Sequence, residues 1–129
     1  MGKGVLVQTS KVKGRIDEAG RVLLPVILIA SDGLEIEVEC IVNLEFDGAL
    51  AISEELAHNV GWRCLGGRRV MMGKETKLME HYIGTIILSN EPINLVVLGG
   101  GYSKAILGHK LLADRRLTVD FRDGTVELA

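Results

Sequence analysis

The stretch Ile41-Val42-Asn43-Leu44-Glu45-Phe46-Asp47-Gly48-Ala49-Leu50-Ala51-Ile52 concentrates the side chains that can do chemistry: Asn43, Glu45 and Asp47 fall within five residues. Two carboxylates brought close enough to share a proton form an acid–base pair that activates a water. A carboxamide donates and accepts hydrogen bonds but cannot take that proton. Chemistry is sparser elsewhere. His58, His81 and His109 are spread along the chain with no HExxH pair, and Cys40 and Cys64 have no metal-ligand spacing, so neither a zinc site nor any other cofactor is expected. Gly99-Gly100-Gly101 lacks the Gly-x4-Gly-Lys-Ser/Thr spacing of a phosphate loop.

The elements that must hold this stretch are legible on both sides of it. From Leu34 to Val42 the pattern alternates, with Leu34, Ile36, Val38, Cys40 and Val42 assigned to the core and Glu35, Glu37 and Glu39 to water. After the stretch, Ser53 caps a short helix with Glu54 and Glu55 in its first turn, ending near Val60 with Gly61 as a left-handed cap. Upstream, residues 5–9 and Arg21 to Ala30 read as strands. Pro25 makes the second an edge strand or one bulged at the proline, and Ser31-Asp32-Gly33 is a hairpin turn. Downstream come a strand from Arg68 to Met72, a turn at Gly73-Lys74-Glu75, and a long strand from Thr76 to Leu88 with a bend at Gly84. After the turn at Ser89-Asn90-Glu91-Pro92, Ile93 to Leu98 reads as a strand buried on both faces. A short helix from His109 to Ala113 and a hairpin of Arg116 to Phe121 with Thr125 to Leu128 end the pattern.

With 129 residues, 47% hydrophobic but only 4% aromatic, the chain predicts one domain with a core of Val, Leu and Ile, which favours strands. Sixteen glycines suit short connections. A net charge of −2, with short basic runs at Arg68-Arg69 and Arg115-Arg116 read as solvated strand ends, gives no reason to expect nucleic acid. No run approaches the ~20 apolar residues of a membrane span and no signal-peptide pattern opens the chain, so no membrane partner is expected and the cytoplasm is the expected compartment. Cys40, inside an alternating strand, is expected to be a small buried hydrophobe.

The order strand, polar turn, strand, short helix, hairpin, buried strand, apolar-apolar-Gly step and last short helix resembles the retropepsin-like aspartic proteases, in particular their small bacterial and archaeal single-domain members. The resemblance covers about residues 12–128. It rests on Val42-Asn43-Leu44-Glu45-Phe46-Asp47-Gly48-Ala49-Leu50, on the turn near Gly73, and on Ala105-Ile106-Leu107-Gly108-His109-Lys110-Leu111-Leu112 followed by Leu117-Thr118-Val119-Asp120-Phe121. It implies an all-β, retropepsin-like closed barrel with one or two short helices, a homodimer, and a cleft for an extended peptide between the loop and a flap at Gly73. The family's Asp-Thr/Ser-Gly loop is replaced here by Asn43, Leu44 and Glu45. The resemblance therefore implies a catalytically silent, pseudoprotease-like module with no assured catalytic residue, its ligand contacts falling on Asp47, Gly48, Met72, Gly73 and Lys74. Asp47 is otherwise expected to accept backbone N–H bonds within its turn, and His109 and Lys110 to cap or solvate the last helix.

Two alternatives follow from the same residues. An active aspartic peptidase would use Asp47, through a shifted Asp47-Gly48-Ala49 loop, or Glu45 paired across a dimer axis. Separately, Ile16-Asp17-Glu18-Ala19-Gly20-Arg21-Val22-Leu23-Leu24-Pro25 is similar to the opening of AbrB-like swapped-hairpin, DNA-binding regulators. There the proline starts a helix, whereas the β-branched run after Pro25 predicts a strand. Dimer contacts are expected from Leu44 and from the terminal strand Thr125 to Leu128.

Overall fold

The computed structural model describes residues 11–101 and 103–129; the strand expected over residues 5–9 lies outside them. Among the described residues ten strands follow in chain order: β1 (Val12–Ile16), β2 (Val22–Ile29), β3 (Glu35–Val42), β4 (Leu50–Ile52), β5 (Arg63–Met72), β6 (Glu75–Leu88), β7 (Glu91–Gly99), β8 (Ala105–Leu107), β9 (Leu117–Asp120) and β10 (Thr125–Leu128). Helix α1 (Glu54–Val60) follows β4, and a single 3-10 turn, His109–Leu112, follows β8. The sheet order is β5-β6-β7-β4-β8-β3-β2-β1-β10-β9, and an extra pairing of β6 with β2 joins β2, β3, β8, β4, β7 and β6 into a six-stranded ring. The chain is thus an all-β closed barrel, with the β5 edge and the β1-β10-β9 sheet extending beyond it. The main core, built around Leu24, Leu28, Leu50, Ile52, Ile86 and Leu107, fills the ring.

Strand β2 is neither an edge strand nor bulged at the proline. Pro25 sits in register opposite Glu39 of β3. On the other side of β2, β1 pairs as far as Leu23 and β6 begins at Ile27, so the residue without an N–H falls between two partners. Gly84 marks the matching exchange on β6, which pairs with β5 up to Ile83 and with β2 from Thr85. A Cβ at Gly84 would also lie 2.7 Å from the Trp62 ring, whose Nε1 donates to the Ile29 carbonyl at 2.7 Å. The helix forms as its caps dictate: the Ser53 side chain accepts from Leu56 N–H, and Gly61 takes φ 72°.

Three further expectations change. In β3 the alternation holds from Ile36, but Leu34 is exposed in the preceding turn. In β7 only Val97, Leu98 and Gly99 are buried; the first half alternates, with Asn94 and Val96 outward, because β7 covers the core on one face only. Strand β10 is paired on both sides, to β1 and β9, with Val126 and Leu128 buried, so it offers a second copy neither an open edge nor an apolar face. Among the described residues the open edges are β9 and β5. No helix among the described residues is long and apolar enough to cross a membrane.

Candidate functional site

The loop 43–49 joins β3 to β4, yet those strands are not neighbours: β8 lies between them, parallel to β3 and antiparallel to β4. The loop therefore arches over the end of β8 and is tied to it on both sides. Asn43 N–H donates to Leu107 C=O at 3.0 Å, Gly108 N–H to Ala49 C=O at 2.9 Å, and Lys110 N–H to Gly48 C=O at 3.3 Å. The fit is tight at Gly108, where a Cβ would lie 2.2 Å from the Gly48 oxygen and 2.8 Å from Phe46. This contact explains the glycine in the Ile106-Leu107-Gly108 step.

Inside the loop, Asn43 Oδ1 accepts the Glu45 N–H at 3.0 Å, and Phe46 N–H donates to Asn43 C=O at 3.2 Å. The turn-stabilising role expected of Asp47 thus belongs to Asn43, which precedes the bend and can form the Asx-type bond two residues on. Asp47 instead turns its carboxylate, 57% exposed, to the 3-10 turn: Lys110 Nζ lies 3.3 Å and His109 Nε2 4.0 Å from Oδ1. Lys110 thus has an acidic partner, while both basic side chains stay half exposed, as solvated residues of the 3-10 turn. Glu45 points the other way, its carboxylate 3.0 Å from where a Cβ of Gly73 would stand. Among the described residues, no carboxylate of the loop shares a hydrogen bond with another carboxylate. Leu44, at the loop's tip, is 60% exposed.

The hairpin of β5 and β6 lies down on the loop. Gly73, at φ 64°, opens a two-residue connection with Lys74, a position where primed hairpin turns require positive φ. Phe46 forms a β-bridge with Met72, and Asp47 N–H donates to Met71 C=O at 3.3 Å. Phe46 (0% exposed) and Met72 (7%) pack with Ala51, Val70, Met79, Leu98 and Ile106 in a second hydrophobic cluster. The structure thus brings Asp47, Gly48 and Met72 together but buries Gly48 and Met72; Gly73 is half-buried and Lys74 exposed. Sequence reasoning missed Phe46 as the link between loop and hairpin. It also placed Arg68 and Arg69 at a strand end, whereas β5 starts at Arg63 and holds both mid-strand.

A groove of about 270 Å³ opens beside Asp47, lined also by Ala49, Arg68, Val96, Leu98 and Lys110. A larger cavity, about 640 Å³, lies away from the loop beside Arg15 and Glu39. Its charges are internally matched: Arg15 makes two 2.7 Å bonds to Glu39, holding that carboxyl below its usual range, and Arg21 pairs with Asp17 at 2.7 Å. The groove beside the loop holds Arg68 and Lys110 with Asp47 as its acid. No cluster of three or more metal-ligating side chains occurs among the described residues.

No protein-family model matches the chain, and no curated protein matches it in sequence. Its fold is similar to that of a solved structure, a retropepsin-like aspartic protease from Rickettsia conorii, with a TM-score of 0.64 over 92% of this chain and 89% of that one. The two sequences are 11% identical, so the likeness is one of fold.

Proposed function

We propose that this aspartic-protease-like domain is catalytically silent and works as a homodimeric module that binds an extended peptide or protein segment. The observation that carries this reading is the state of Asn43. Its side-chain oxygen is spent on the Glu45 N–H, and a carboxamide takes no proton from water. The neighbouring acids are directed apart within the chain, Asp47 to Lys110 and Glu45 to the hairpin turn, which supports the reading that they form no shared-proton pair with each other. The dimer gains support from Leu44, an exposed apolar side chain at the tip of a loop tied down on both sides. The ligand gains support from β5, a ten-residue strand whose edge away from β6 is taken by the loop only at Met71 and Met72 and is otherwise open, which suits strand addition. On this reading Asp47, Gly73 and Lys74 meet the ligand, while Gly48 and Met72 support them from below.

The test is peptide hydrolysis between pH 3 and 7 with a mixed fluorogenic substrate pool, alongside sedimentation. The expected result is no cleavage beyond that of the Glu45→Gln/Asp47→Asn double variant, from a dimer. Acid-optimum cleavage that disappears in either single variant would overturn silence and restore a peptidase built on that carboxylate.

A further inference from the structure

We infer that the groove beside Asp47 takes an acidic side chain of the bound segment, with Arg68 as its recognition residue. The inference rests on the peptide-binding reading above and specifies the ligand's chemistry. Side chains two apart on a strand share a face. Arg68 therefore shares the face of Val70 and Met72, both buried against the barrel in the Phe46 cluster. Arg68 itself is exposed, so it carries that face's positive charge to the open wall of the groove. Arg68 has no carboxylate partner among the described residues, whereas Lys110, across the groove, is already held by Asp47 at 3.3 Å. Counting Arg68 and Lys110 against Asp47 leaves one positive charge in the wall, and it belongs to Arg68.

The rest of the groove fits a side chain. Its floor is apolar, from Val96 and the buried Leu98, which accommodates methylene groups. Its volume of about 270 Å³ is below the ~300–1,000 Å³ of small-molecule sites, which favours one side chain of a longer segment over a free metabolite. A guanidinium presents a planar fork that meets a carboxylate through two parallel bonds. The open edge of β5 adjoins the groove, so a segment paired along β5 is positioned to direct one side chain into it.

The experiment is a positional peptide library with one fixed central residue and randomised flanks, read for binding to the intact chain and to three variants. The expected result is enrichment of Asp and Glu over Asn and Gln at the fixed position by about tenfold. That preference vanishes in Arg68→Gln, turns to Lys and Arg in Arg68→Glu, and is unchanged in Arg69→Glu, whose residue occupies the opposite face of β5. Binding without acidic preference, or a preference that survives Arg68→Gln, overturns the assignment and leaves the peptide-binding reading intact. No binding of any library member overturns both.

Discussion

Asn43 does two jobs that a mutation can separate. Its oxygen closes the turn, which any side chain with a carbonyl oxygen in that position achieves; its amide withholds a base. Asn43→Asp is expected to keep stability within about 1 kcal/mol, because the bond to the Glu45 N–H survives, and to gain no peptidase activity while Leu44 and Glu45 remain. Asn43→Ala is expected to cost about 1 kcal/mol in urea unfolding through loss of that acceptor. The thiols give a second residue-scale prediction. Cys40 is buried and Cys64 exposed. A thiol reagent is expected to label one site per native chain, two in denaturant, and none in native Cys64→Ser. Burial also pushes the Cys40 thiol up to about 12 and, with Glu80 as acceptor, the Tyr82 hydroxyl up to about 12. The unfolded chain releases these protons earlier, near ~8.5 and ~10, so it binds fewer protons than the native state across that window. Stability is therefore expected to fall as pH rises from about 9 to 12, a loss that Cys40→Ala reduces, as urea midpoints across that range will check.

At the scale of elements, the hairpin and the loop behave as one unit because Phe46 belongs to both. Its ring lies against Gly48 and Gly108, and its backbone bridges Met72. Phe46→Ala is expected to cost about 3–5 kcal/mol. Unlike a general core deletion, it also speeds amide exchange selectively in residues 68–79, which hydrogen-exchange mass spectrometry reads directly. The sequence made most elements legible because their periodicities are local: the run from Ile36 to Val42, the Ser53–Gly61 caps and the Gly73 turn all appear where expected. Pro25 and Gly84 were legible as irregularities but not in meaning. Both mark partner exchanges between strands about sixty residues apart, which no local pattern encodes. Arg68 was misread because Gly66-Gly67 resembles a break, whereas β5 runs through them with a register shift between Cys64 and Gly66. Phe46 was missed because a single-residue bridge leaves no periodic signal.

For the whole molecule, the order of elements in the sequence pointed to a fold that a solved structure shares at 11% identity; that likeness is one of fold and says little about what the loop meets. Pairing of β10 on both sides moves the proposed dimer contact to Leu44 and the open edges. Leu44→Lys is expected to shift sedimentation from dimer to monomer with little loss of monomer stability, since the side chain is 60% exposed. An unchanged dimer would move the contact to a sheet edge. The insertion of β8 between β3 and β4 carries a consequence in time. Strands joined by a seven-residue loop ordinarily zip together as soon as both exist, but here that early pairing would be a trap. The gap must stay open until residues 105–107 arrive, so loop 43–49 matures only after most of the chain has been made. A nascent chain halted before β8 holds every side chain of the loop but lacks the ties to Leu107, Gly108 and Lys110 that fix its two ends, and in refolding the loop's tertiary signals are expected to appear last.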